Sequence, residues 1–302
     1  MEAAGAETDR RSFSGMRVDH LRVCQFEREN LMKSILLHVG DDPLFESRLQ
    51  AALDLSRYVD GHLECLQTRR VPAFLGADTA GFAGSAAMVM QLVEDEARYA
   101  EEERKKLDER LEREQVAFNW ADALGDPEQT LADRSLLADA IVMSIPDGET
   151  PELGRTLAAV VTRADAPVLA VPPYQAGIQF GGGILVAWKP TSESARAVKA
   201  ALPLLRRAAR VDIVTVDSDE SGDFPAAAVA VYLSRHDINV EVHHRTSGGQ
   251  STADTLLGVA LELDSSLLVM GGYGRSRAME FLLGGVTRRL IAVSGIPLLL
   301  AH

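Results

Sequence analysis

The residues best suited to chemistry lie between Met270 and Thr287, in the run MGGYGRSRAMEFLLGGVT that follows the apolar Leu267-Leu268-Val269. Gly271 and Gly274 precede Gly284 and Gly285 in the spacing Gly-x2-Gly-x9-Gly. Glycines so placed let backbone N–H groups approach an anion without interference from Cβ, and a helix N-terminus adds a favourable dipole. Such a loop binds and orients a phosphate; bond cleavage needs further groups, and those signals are thin. The chain has no G-x-S-x-G elbow, Walker A loop, HExxH or paired-cysteine metal motif. His243 and His244 are neighbours in an expected strand, so they face opposite ways and cannot simply share one metal. His38 is expected to be structural, and Asp41 and Asp42 to cap the helix that follows. Asp217 ends an expected strand where it could reach a ribose or a metal, yet the polar run Asp217-Ser218-Asp219-Glu220 reads better as a turn. No catalytic residue and no metal ligand set is assigned.

The elements that must position this loop emerge from an internal repeat. Ile35–Gly40 lies over Ile184–Lys189 at an offset of 149 residues, and Gln50–Leu53 over Lys199–Leu202 at the same offset. Farther on, Gly154 lies over Gly284 and Ala166–Val171 over Ile296–Ala301, at an offset of 130. A period this long means duplicated domains rather than a solenoid. Short apolar runs alternate with helical patterns in each copy, which argues for α/β domains with parallel sheets and ligands at the carboxyl ends of the strands. In the second copy, strands are expected near 183–188, 211–217, 238–244, 266–271 and 296–301. Helices are expected near 191–209, 224–236, 251–262 and 284–294. In the first copy, residues 85–118 read as one long helix with Ala97, Ala100, Leu107, Leu111 and Phe118 along its stripe and a solvated charge run at Glu101–Lys106. The Gly- and Ala-rich lead-in Ala73–Ser85 reads as a mobile loop.

The glycine spacing, between a strand and a helix and ahead of the closing strand Ile296–Ala301 with its Pro297, resembles the nucleotide loop of the universal stress protein family. The resemblance covers both copies, from about residue 32 to 302, and describes a tandem universal stress protein. It implies two tandem flavodoxin/Rossmann-like domains, each a five-stranded parallel doubly wound sheet, paired about a pseudo-two-fold axis through strands 167–172 and 296–301. The boundaries expected are a disordered leader or over-extended start at 1–31, a first domain at 32–175 and a second at 181–302. A turn-rich, flexible linker, Pro172–Gly177 with Gly181–Gly183, joins them.

The family pattern implies that ATP, or a related adenine nucleotide with Mg²⁺ as a candidate companion, binds the second copy. Met270 and Gly271 would meet the base and ribose side, and Gly274 with the N–H groups of Gly284, Gly285, Val286 and Thr287 would meet the phosphates. Arg275 would supply positive charge, and Ala187, Lys189 and Val216 complete the cofactor contacts from the first two strand ends. Two residues depart from the pattern. Gly285 stands where Ser or Thr is usual, leaving Thr287 as the nearest hydroxyl, and Lys189 stands where an acid is usual. The first copy's loop, Met143–Gly154, has Ser144 for Gly271, two prolines that remove N–H donors, and Asp147, Glu149 and Glu152 where phosphates would sit. It is expected to repel a nucleotide and to act as a structural partner.

Composition bounds the rest. With a formal net charge of −13, the chain is not expected to bind nucleic acid or anionic membrane. Cys24 and Cys65 are the only cysteines, which points to a reducing, cytoplasmic setting. The function expected is a stress-response sensor or regulator binding an adenine nucleotide through the second domain. The partners expected are the nucleotide, the intramolecular pseudo-dimer and, left open, a homodimer. An interaction scaffold with decayed sites, and a slow hydrolase or transferase on a phosphorylated small molecule, stand as alternatives.

Overall fold

The computed structural model describes residues 32–69, 91, 98, 101–218, 222–274 and 285–302. The expected leader, the lead-in Ala73–Ser85, and Ala97 and Ala100 of the long helix lie outside the described residues.

The first half runs β1 (Ser34–Val39), α1 (Phe45–Val59), β2 (His62–Arg69), a helix α2 through 101–113, β3 (Ala117–Leu124), α3 (Pro127–Arg134), β4 (Ala140–Ser144), α4 (Pro151–Arg163) and β5 (Val168–Val171). The second runs β6 (Gly183–Ala187), α5 (Ser192–Leu205), β7 (Arg210–Val216), α6 (Ala226–Ser234), β8 (Glu241–Arg245), α7 (Thr252–Glu262), β9 (Ser265–Gly271), α8 (Gly285–Val293) and β10 (Leu298–Ala301). All ten strands form one sheet in the order β3-β2-β1-β4-β5-β10-β9-β6-β7-β8. Within each half every pairing is parallel; β5 and β10 join the halves antiparallel, Leu299 opposite Leu169. Each half is therefore a five-stranded, doubly wound parallel unit, and the closing strands are the seam, as their equivalent apolar edges require.

Burial explains why these runs became strands. All of Ala140–Ser144 and all of Leu298–Ala301 are buried, as strands covered on both faces must be. One core layer takes side chains from α1, α2, α5 and α6, the other from α3, α4, α7 and α8, and each continues across both halves. The seam is thus closed by sheet hydrogen bonds and by hydrophobic burial on either side.

Two expectations are corrected. The long helix does not reach Phe118: it ends before Gln115, which takes the left-handed φ of 56°, and Ala117–Leu124 forms β3 against β2. Leu107 and Leu111 do bury as the helical stripe requires. The apparent continuation past them was the alternating pattern of a half-exposed edge strand. The linker is also not free chain. Ile178 and Phe180 are buried, Ile178 N donates to Asp54 Oδ2 at 2.9 Å, and the Phe180 ring packs on Tyr58 at 5.7 Å. No helix among the described residues is long and apolar enough to cross a membrane.

Candidate functional site

The doubly wound order places the switch point of the second half between β6 and β9, whose carboxyl ends carry Ala187 and Gly271. Register brings several of the expected residues together: Ala187 pairs with Met270 on one side and Val214 on the other, and Met270 pairs with Leu300. Val216 lies two residues beyond Val214 on β7. Ala187, Val216, Met270 and Val286 all pack on one core layer. Lys189 is exposed just past β6, its carbonyl accepting from Thr191 N at 2.7 Å. Arg275 and Gly284 lie outside the described residues.

What lies beside Gly271 differs from the sequence expectation. A Cβ there would stand 2.6 Å from Ser194 N and 2.8 Å from both C and Cβ of Glu193. Glycine is needed because the first turn of α5 crosses the strand end in direct backbone contact. Thr191 caps that turn, accepting from Ser194 N at 3.3 Å, so its position is locally determined. Gly272 answers to the other half: its Cβ would lie 2.9 Å from Val161 Cγ1 on α4. Tyr273 is buried in the left-handed region at φ 49° and donates its N–H to Thr287 Oγ1 at 3.3 Å. Thr287 is itself buried, and its hydroxyl ties the strand exit to α8. His302 Nδ1 lies 3.1 Å from Gly272 O. The segment Gly271–Gly274 is thus held by α5, α4, α8 and the C-terminal residue.

One feature bears on an anion. Gly285, the first described residue of α8, is exposed, and a Cβ there would meet no described atom within 4 Å. The first N–H groups of a helix have no intrahelical acceptor, and an anion can take them up. Glu193 stands beside the loop. It is only 6% exposed, its Oε2 lies 3.7 Å from where a Gly274 Cβ would stand, and as an acid in the first turn of α5 it suits that helix's own dipole. Sequence reasoning missed Glu193; the signal available was Thr191-Ser192-Glu193-Ser194, an N-cap followed by an acid in the first turn.

The first half fills its equivalent position with protein. Ser144, the counterpart of Gly271, accepts a 2.5 Å hydrogen bond from Arg48 Nη1 and donates to Leu44 O at 3.3 Å. Arg48 is fully buried; its Nε donates to His38 O at 2.7 Å and its Nη2 to Asp42 Oδ2 at 2.7 Å. Asp42 therefore serves chiefly as the partner of a buried guanidinium, and its Oδ1 also accepts from Leu44 N. His38 is structural, as expected: burial first, then the Arg48 charge, pushes its imidazole down to about 3, so it is neutral at neutral pH.

The other sequence candidates fall elsewhere. Asp217 is an exposed turn residue at φ 49° whose carboxylate accepts from Ser247 N at 3.0 Å, and hydrogen bonding from Ser247 holds it below the usual range. His243 and His244 do face opposite ways, toward Asp212 Oδ1 and Thr215 Oγ1 respectively, at 3.0 Å each. Asp212, Glu241 and His243 bring three ligand-type atoms within 4.8 Å of one another, a juxtaposition the sequence did not reveal. Asp212 is already engaged on both oxygens, by Arg210 Nε at 2.7 Å and by His243.

Comparison with known proteins agrees with this architecture. Residues 183–302 match the model of the Universal stress protein family, so the second half is a domain of that family. A universal stress protein from Archaeoglobus fulgidus DSM 4304 superposes with a TM-score of 0.69 at 17% identity, covering 89% of this chain and 96% of that one. A functionally unknown protein from Pseudomonas aeruginosa PAO1 gives 0.59 at 17% identity over 91% and 94%. A putative universal stress protein from Pseudomonas aeruginosa UCBPP-PA14 gives 0.56 at 18% identity over 91% and 94%. At these identities the likeness is one of fold, and it runs through both halves. No curated protein matches the chain.

Proposed function

We propose that the second half binds an adenine nucleotide, ATP foremost, and that the protein acts as a nucleotide-responsive regulator in the stress response. The observation that carries this reading is the open start of α8 at Gly285, facing the held segment Gly271–Gly274 at the switch point of a Universal stress protein domain. The base and ribose would lie along Ala187, Val216, Met270 and Gly271, and the phosphates against Gly274, Gly284, Gly285, Val286 and the Thr287 N–H, with Lys189 and Arg275 as the cations the sequence offers.

Mg²⁺ is the companion cation to test beside ATP, a hard ion suited to phosphate oxygens. Calorimetric titration of the full chain with ATP, with and without Mg²⁺, tests the reading. Gly285→Asp meets no described atom within 4 Å and should weaken ATP at least about tenfold, a change worth about 1.4 kcal/mol. No saturation at millimolar ATP, with or without Mg²⁺, sinks the nucleotide reading.

A second reading has its own support. Arg48 fills the first switch point with its own hydrogen bonds, an occupied position that an interaction scaffold would retain. On that reading Gly285→Asp changes no ATP binding, because there is none.

A further inference from the structure

A groove of about 470 Å³ opens between α5 and α6, on the face of the sheet opposite α7 and α8. Val198 and Val229, 3% and 5% exposed, line its depth, while Phe224 is 64% exposed. Trp188 stands at the strand end, and its indole N–H donates to Phe224 O at 3.1 Å, which holds the segment before α6 against β6. The volume lies in the range of small-molecule sites, and the lining has their character: mostly apolar, with few polar groups. Those polar groups share one sign. Lys199 and Arg235 line the groove, both exposed, and among the described residues no carboxylate does. Neither cation makes an ion pair among the described residues. In a chain of net charge −13, two cations at an apolar groove favour an anionic occupant.

We propose that this groove binds an amphipathic monoanion, a carboxylate carrying a medium-length alkyl or aryl tail. The tail gains burial against Val198, Val229, Trp188 and Phe224, and the carboxylate meets Lys199 and Arg235 at the mouth, where both charges keep part of their hydration. A neutral molecule of the same shape would gain only the first contribution, and a cation would be repelled. The site uses none of the glycine-loop residues and stands whether or not the second half binds a nucleotide.

Isothermal titration of the full chain with octanoate, 1-octanol and octyltrimethylammonium tests the proposal. Octanoate should saturate a single site, octanol should bind at least about tenfold more weakly, and the cation should not bind. The double variant Lys199→Glu, Arg235→Glu changes only exposed side chains. It should lose octanoate affinity at least about tenfold while keeping the native circular dichroism and melting temperature. Equal affinity for octanol and octanoate, unchanged octanoate binding in the double variant, or no saturation by octanoate overturns the proposal. So does a concentration-dependent dimer in sedimentation that Phe224→Asp abolishes and octanoate does not displace, since that assigns the groove to a second copy of the chain.

Discussion

Replacing Gly271 by Ala separates two reasons for a glycine at the head of the loop. If the residue is glycine to admit a ligand, a methyl group should leave stability alone and harm only binding. The structure places the first turn of α5 there instead, with Ser194 N 2.6 Å and Glu193 C 2.8 Å from the added carbon. Neither atom belongs to a side-chain tip that could rotate away, so the cost should approach the upper end of overpacking, about 3 kcal/mol. Unfolding entropy of about 2.1 cal/mol/K per residue over 302 residues converts this to a fall in Tm of roughly 5 °C. Differential scanning calorimetry with urea titration at neutral pH reads it directly. Gly274→Ala and Gly285→Ala are the controls, since a methyl group at either meets no described atom closer than 3.7 Å. If Gly271→Ala melts with the native protein, or the controls lose as much, the argument that α5 dictates this glycine fails.

Arg48→Ala leaves Asp42, Ser144 and the His38 carbonyl without their shared partner and should destabilise the chain by about 3–5 kcal/mol in urea denaturation. The folded state holds His38 down to about 3, against about 6.5 for free histidine, so the unfolded chain binds the extra proton as pH falls. The stability it contributes is present above about pH 6.5 and lost progressively toward pH 3; between pH 7 and 5 the loss should be about 2 kcal/mol and should vanish in His38→Asn. Cys65 is fully buried, and burial pushes its thiol up to about 12. In a Cys24→Ser background it should therefore resist a thiol reagent until urea unfolds the chain, and rapid labelling of the folded protein would contradict its placement.

Legibility tracked how far each pattern depends on partners. β6, β7, β9 and β10 were readable to within a few residues because their apolar runs are buried on both faces and announce themselves locally. β3 was not, because an edge strand with alternating exposure supplies too few buried positions to break a helical reading that began upstream. The linker, read as turn chemistry, concealed Ile178 and Phe180, whose burial depends on Asp54 and Tyr58 of α1. At the site, the glycines were legible and their neighbours were not. Glu193 and Arg48 sit on helices whose sequences read as ordinary amphipathic surfaces.

Sequence alone determined the duplication, the α/β alternation and the glycine spacing of Met270–Thr287, since periodicity and turn chemistry are properties of short stretches of chain. Only the tertiary structure decided what those glycines are for. Gly271 yields to α5 and Gly272 to α4 of the other half, while a Cβ at Gly285 would meet no described atom within 4 Å. Whether a missing Cβ makes room for a ligand or for the protein itself depends on atoms far away in the chain, and only packing brings them there.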